Sequence, residues 1–324
     1  MQELTISPND AGQRLDRFLA KAIPALPGPL AQKYIRLKRI KVNGKRAEQN
    51  YRLLEGDTIQ LYIGDEFFEV SREELPRKTQ DPGLNICYED EQILIVNKPP
   101  GLLCHSGDGP YEANLVDQVK AYLQHTGAWN PAQELSFVPA LCNRLDRNTG
   151  GLVLAAKTAA ALQILNQKIR DREVDKYYLL AVHGRPNPPT GRIEGHLVKD
   201  SAQNRMSVVA VGTEDAKDAV TVYRTLETRE NLSLVECLLE TGRTHQIRAQ
   251  MAALGCPLLG DRKYGGLAKT EPHQALWAYR VTFSFTSDAG VLDYLHNRTF
   301  FSGDVPFLGK YFTFSLPKRP KKGV

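Results

Sequence analysis

The run Asn143-Arg144-Leu145-Asp146-Arg147-Asn148-Thr149-Gly150-Gly151 sets one acid inside a short polar turn, with arginines two residues before it and one after. A carboxylate in that setting is held by charge-assisted hydrogen bonds. It suits an acid that attacks a reacting centre or steers one. On these residues alone a second reading stands beside it, in which Asp146 pairs with Arg144 or Arg147 merely to hold the turn. Gly150 and Gly151 let the backbone turn tightly or approach a ligand closely.

Two further segments carry groups that would complement such an acid. In Glu240-Thr241-Gly242-Arg243-Thr244-His245-Gln246-Ile247-Arg248, Ile247 begins an apolar stripe continued by Met251 and Leu254, so Arg243 falls near a helix start and Arg248 one turn inside. His245 caps that helix or binds phosphate, unless it is a satisfied structural histidine. In Asp175-Lys176-Tyr177-Tyr178-Leu179-Leu180 the two tyrosines face opposite sides of an extended chain. One belongs to the core and the other is available to a pocket, where a flat ring is a platform for a nucleobase.

A different kind of charge gathers near the N-terminus. Lys33, Arg36, Lys38, Arg39, Lys41, Lys45 and Arg46 occur in one window without an acid among them. They surround a helix end, a strand and the Asn43-Gly44 hairpin signal. Such groups meet phosphates as mobile or forked donors, and binding through them weakens as salt rises. The plainer reading is a solvated surface.

The elements that must position these residues follow from periodicity. Leu15, Phe18, Leu19 and Ala22 predict a helix, broken by Pro24, Pro27 and Pro29, and a second short helix covers 31–37. Ile59, Leu61 and Ile63 alternate as a half-buried strand. Further on, helices are predicted around Leu115–Leu123 and Leu162–Ile169. Strands are predicted at 84–88, 93–96, 152–156, 177–182, 205–211, 219–226 and 234–239, and around 281–285. Residues 184–204 read as a hairpin insertion or an RNA-facing loop. Strands outnumber helices without alternating with them, which implies an α+β fold. A small N-terminal αβ domain would precede a larger domain with a mainly antiparallel or mixed sheet flanked by helices. The boundaries are 1–66 for the first domain, 67–82 for a linker, 83–316 for the second domain and 317–324 for a basic tail.

The chain of 324 residues is long enough for two cores, and its net charge of +5 permits an anionic partner without requiring one. Its five cysteines form no short metal-binding pair, so a reduced, cytoplasmic setting is expected. No apolar run is long enough to cross a bilayer, and no membrane partner is expected.

Arg14-Leu15-Asp16-Arg17-Phe18-Leu19, Ile40-Lys41-Val42-Asn43-Gly44-Lys45 and Gly56-Asp57-Thr58-Ile59 resemble the small alpha-L RNA-binding module first described in a small-subunit ribosomal protein. The rest of the chain resembles the RluA-type pseudouridine synthases, which isomerise selected uridines in RNA. The resemblance rests on five pieces in family order: Lys98-Pro99-Pro100-Gly101-Leu102, Arg144 to Leu152, Lys176-Tyr177-Tyr178, Gly242 to Arg248, and Pro257-Leu258-Leu259-Gly260-Asp261.

That resemblance implies Asp146 as the catalytic acid, Arg248 as the basic residue paired with it, and Tyr178 as the tyrosine stacked on the base. It implies RNA contacts from Asn143, Arg144, Arg147, Arg243 and His245, added to the seven cations of the small domain. Asn143 stands where the family often has histidine, a departure that bears on substrate subclass. The expected activity is uridine isomerisation in structured RNA, with ribosomal RNA favoured and transfer RNA second. No atom is added from outside, so no cofactor and no metal are expected, and a monomer is expected. The competing reading is a noncatalytic RNA-binding or ribosome-assembly protein, which would lack the acid, tyrosine and arginine set.

Overall fold

The computed structural model describes residues 1–68, 81–107, 109–200, 205–266 and 271–316. Residues 69–80 of the expected linker and the expected basic tail at 317–324 lie outside these. The chain divides into two units, one of residues 1–83, 118–140 and 156–163, the other of residues 84–117, 141–155 and 164–324.

The first unit begins with β1 (Gln2–Thr5), α1 (Leu15–Ala22), α2 (Gly28–Arg36), β2 (Ile40–Val42), β3 (Lys45–Arg46) and β4 (Thr58–Leu61). Its sheet runs β1-β4-β2-β3 with antiparallel pairing. The helical stripe of Leu15, Phe18 and Leu19 packs with Ile40, Ile59 and Leu61, all fully buried. Asn43 and Gly44 both take positive φ, 53° and 74°, as a two-residue hairpin turn demands. The Asn43 side chain then accepts from Thr58 N at 2.9 Å and donates to Asp57 at 2.7 Å, fixing turn to strand. Strand β1 carries almost no apolar signal. It exists because its backbone pairs with β4, Leu4 opposite Ile59.

The later elements are β5 (Ile86–Glu89), β6 (Ile93–Lys98), α3 (Leu115–His125), β7 (Ala140–Leu141), β8 (Gly150–Ala156), α4 (Ala159–Arg170), β9 (Val174–His183), β10 (Thr190–Asp200), β11 (Arg205–Val209), β12 (Lys217–Arg229), β13 (Leu232–Leu239), α5 (Gln246–Ala253), β14 (Leu276–Phe283), β15 (Thr299–Phe301) and α6 (Leu308–Tyr311). The large sheet runs β11-β10-β12-β13-β9-β14-β8-β6-β5, with β15 beside β14 and β7 beside β8. It is mixed, because β14 and β8 are parallel while β9 is antiparallel to both β13 and β14. The α+β architecture expected from the strand-rich pattern is the one observed. The ambiguous stretch at 184–204 contributes β10, which pairs with both β11 and β12.

The centre of this sheet sets the site. Tyr178 of β9 lies opposite Cys237 of β13 on one side and Ala278 of β14 on the other. Ala278 is in turn level with Gly151, and Trp277 with Gly150. A Cβ on Gly150 would enter the Trp277 ring, and one on Gly151, at φ 113°, would fall on the Ala278 backbone. The glycine pair therefore serves a close approach between strands rather than to a ligand.

A buried ion pair anchors the entry to β9. Lys168 donates to Glu173 at 2.7 Å and to the carbonyl and hydroxyl of Ser287 at 2.6 and 2.7 Å. Hydrogen bonds from Lys168 and Thr286 hold the Glu173 carboxyl down to about 2.

Candidate active site

The turn that carries Asp146 is fastened on both sides by the segment from Lys98 to Cys104. Lys98 is fully buried, and its ammonium donates to the carbonyls of Pro99, Leu102 and Arg147 at 3.0, 2.8 and 2.9 Å. Burial lowers Lys98 to about 8, against the opposing pull of Cys104 and Asp146. Gly101 N donates to the same Arg147 carbonyl at 2.9 Å. Before the acid, the Cys104 thiol accepts from Leu145 N at 3.3 Å and donates to Leu145 O at 3.5 Å. Backbone groups that a tight turn would orphan are thus satisfied.

Opposite the acid stands α5. Arg248 donates from Nη1 to Asp146 Oδ2 at 3.1 Å. Its other face is held more tightly, Nε to Asp261 Oδ2 at 2.7 Å and Nη2 to Asp261 Oδ1 at 2.9 Å. Asp261 is 1% exposed and Arg248 7%. Burial opposes charge on Arg248, but hydrogen bonds and charge from the two aspartates outweigh it and raise the guanidinium above its usual value. The forked geometry makes Asp261 the primary anchor and leaves one arm for Asp146. The guanidinium also lies 5.0 Å from the centre of the Tyr264 ring.

A cavity of about 740 Å³ opens above these groups, lined by Asp146, Tyr178, Lys176, Arg248 and His245 among others. Alternation along β9 sends Tyr178 into it. Burial, with the charge of Asp146 next, raises the Tyr178 phenol far above its ordinary value, so the ring is neutral. Tyr177 points to the other face of the sheet, where Arg280 stacks 3.7 Å from its ring centre.

The remaining sequence-predicted residues divide. Asn143 lines the cavity but spends its side-chain oxygen on Leu154 N at 2.8 Å, a fold contact. Arg144 is exposed at the cavity wall. Arg147 is also exposed there and pairs with Glu112 at 2.8 Å. Arg243 is exposed and donates from Nε to Asp218 O at 2.9 Å. His245 faces Asp146 Oδ2 at 3.8 Å. In the first unit Lys33, Arg36, Lys38, Arg39, Lys45 and Arg46 are exposed and Lys41 is half-buried. Arg39 and Lys41 lie over the Tyr34 and Tyr62 rings at 5.6 and 5.3 Å.

Sequence reasoning placed Lys98, Gln246 and Asp261 in matching motifs but gave no site role to them or to Tyr264. Gln246 is 2% exposed; it accepts from Thr241 and from Arg243 N and donates to Val220 O and Thr221, tying the start of α5 to β12. Its signal was a glutamine at 246 with another at 250, two amides on one helical face. Among the described residues no cluster of His, Cys, Asp or Glu is arranged to hold a metal, and no helix is long and apolar enough to cross a membrane.

Residues 92–253 match the RNA pseudouridylate synthase family, and residues 13–59 match the S4 domain. An RNA pseudouridine synthase of Bacillus subtilis, YlyB, described as uncharacterized, is 31% identical over 97% of this chain and 93% of its own length. The chain belongs to the RNA pseudouridine synthase family. A second relative of this synthase, the ribosomal large subunit pseudouridine synthase D of Nitrosomonas europaea, is 32% identical over 90% of this chain and 82% of that one. The solved structure of human RNA Pseudouridylate Synthase Domain Containing 1 shares the fold, with a TM-score of 0.54 and 22% identity over 75% of this chain and 94% of that one. The synthase match contains Asp146, Tyr178 and Arg248, while Asp261 and Tyr264 lie beyond its end. The S4 match contains the whole basic window from Lys33 to Arg46.

Proposed function

We propose that this synthase converts uridine to pseudouridine in folded ribosomal RNA, using Asp146 as the group that opens the glycosidic bond. The observation that carries the reading is the Arg248 fork, which holds Asp146 at the cavity while Asp261 neutralises the other side of the guanidinium. The target base lies inside an RNA fold and must be flipped out to enter. Arg144, Arg147 and Arg243 at the cavity wall hold the backbone that remains outside. Tyr178 stacks on the uracil as a neutral ring. Asp146 acts at the ribose, the bond from C1′ to N1 breaks, and the uracil turns within the cavity. A bond from C1′ to C5 then forms, the C5 proton departs to solvent, and N1 takes up a proton from solvent. Atoms and oxidation level are conserved, so the residues present suffice.

The order of the five motifs supports reading the chain as an RluA-type synthase. The large-subunit name carried by the Nitrosomonas relative favours large-subunit ribosomal RNA over transfer RNA. Such a target puts the enzyme in the cytoplasm. A noncatalytic assembly protein would have no use for an acid so firmly anchored beside an open cavity.

Asp146→Asn is expected to bind RNA and form no pseudouridine. Pseudouridine should be quantified in large-subunit and transfer RNA treated with each purified form. It should also be mapped in cells with and without the gene. Product formation by the variant at the wild-type rate rejects the assignment of Asp146. A missing pseudouridine confined to transfer RNA rejects the ribosomal target.

A further inference from the structure

His245 occupies an unusual backbone position and makes two contacts that RNA binding does not explain. Its φ is 53°, in the left-handed region that few non-glycine residues enter, at the residue before α5. That conformation aims one ring nitrogen at each of two protein groups. Nε2 lies 3.8 Å from Asp146 Oδ2, and Nδ1 lies 3.0 Å from the Tyr264 hydroxyl. The Tyr264 oxygen already accepts from Met206 N at 2.7 Å. The phenol can therefore give its own proton to Nδ1, which leaves the imidazole hydrogen on Nε2, directed at the carboxylate. Arg248 reaches the same oxygen, Oδ2, at 3.1 Å.

We infer that His245, fixed by Tyr264, is a positioning residue that joins Arg248 in anchoring one oxygen of Asp146, so that the other oxygen, Oδ1, is the one presented to the ribose. This rests on the reading of Asp146 as the reacting acid. Burial lowers His245, Asp146 opposes that, and Arg248 and Lys263 add to it while Asp261 opposes. The ring is accordingly a neutral donor at neutral pH. Tyr264 connects both anchors, because its face lies under Arg248 and its ring meets His245 edge-on at 5.7 Å.

The test compares His245→Ala, His245→Gln and Tyr264→Phe in the full chain, with single-turnover rates at saturating RNA, RNA affinity and thermal midpoint measured for each. Losing an N–H that faces Asp146 Oδ2 from 3.8 Å, a contact expected to tighten once the base is bound, should lower the rate of His245→Ala by about fivefold to tenfold at unchanged affinity. His245→Gln, which keeps an N–H at the reach of Nε2, should recover part of that loss. Tyr264→Phe keeps the ring under Arg248 and should lose about threefold through the freed tautomer. A folded His245→Ala with the wild-type rate overturns the inference. So does a loss confined to RNA affinity, which makes His245 a phosphate contact. Equal losses in the alanine and glutamine variants also overturn it. Each outcome is separable from failure of the Asp146 reading, which shows as activity in Asp146→Asn.

Discussion

The cavity around Asp146 and the basic window from Lys33 to Arg46 hold charge in different ways. At the floor of the cavity the charged groups have assigned partners: Arg248 is gripped by Asp261 through two hydrogen bonds and by Asp146 through a third. In the window, six of seven cations are exposed and two of the seven rest over tyrosine rings. Chemistry at one bond requires an acid held to within a fraction of an ångström, so its partners must be buried and satisfied. Recognition of a phosphate backbone needs many adaptable donors whose charge reaches solvent. The same residue type, arginine, serves both because burial and pairing, not identity, decide what it does.

That contrast can be broken from either side. The largest effect is expected from Asp261→Asn. It removes the primary anchor of a buried guanidinium, which should cost about 3 kcal/mol of stability and most of the turnover. Chemical denaturation together with pseudouridine assay reads both; a stable, active variant would show that Asp146 alone holds Arg248. A middle effect belongs to the window. Arg39→Ala combined with Lys45→Ala should weaken RNA binding and flatten its salt dependence by a log–log slope of about 1 to 2. Affinity titrations at several salt concentrations check this, and an unchanged slope would return the window to a solvated surface. The smallest effect falls on the exposed pair of Arg147 and Glu112, both about half exposed. Glu112→Ala frees Arg147 for phosphate and should tighten RNA binding by less than about 1 kcal/mol. Weaker binding in that variant would mean the pair holds the cavity wall in place.

What the sequence disclosed and concealed follows the same division. Asp146, Tyr178 and Arg248 sit in short contiguous motifs; strand alternation put Tyr177 and Tyr178 on opposite faces, and the resemblance chose Tyr178 between them. Their convergence was legible through the resemblance. Asp261 was hidden because its pairing with Arg248 closes a loop beyond α5, and an acid after Leu259-Gly260 looks like any turn residue. Lys98 entered only as the first residue of a matching motif; nothing in Lys98-Pro99 announces that the ammonium is buried under three carbonyls. The hairpin reading of 184–204 anticipated β10 beside β11, but nothing in that polar stretch showed that β10 also pairs with β12. The helices, by contrast, were legible wherever one apolar stripe met one core. The stripe from Leu15 to Leu19 is the clearest case.

The paired glycines that open β8 have a consequence for how this protein can change. Where Gly150 and Gly151 abut Trp277 and Ala278, two hydrogens occupy the space that any larger substituent would need. A larger residue at 150 therefore needs a smaller one at 277, more than a hundred residues later in the chain, whereas one at 151 meets backbone that no substitution removes. Positions 150 and 277 are expected to vary together and Gly151 not at all, which makes the back of the cavity slower to drift than the mouth it supports.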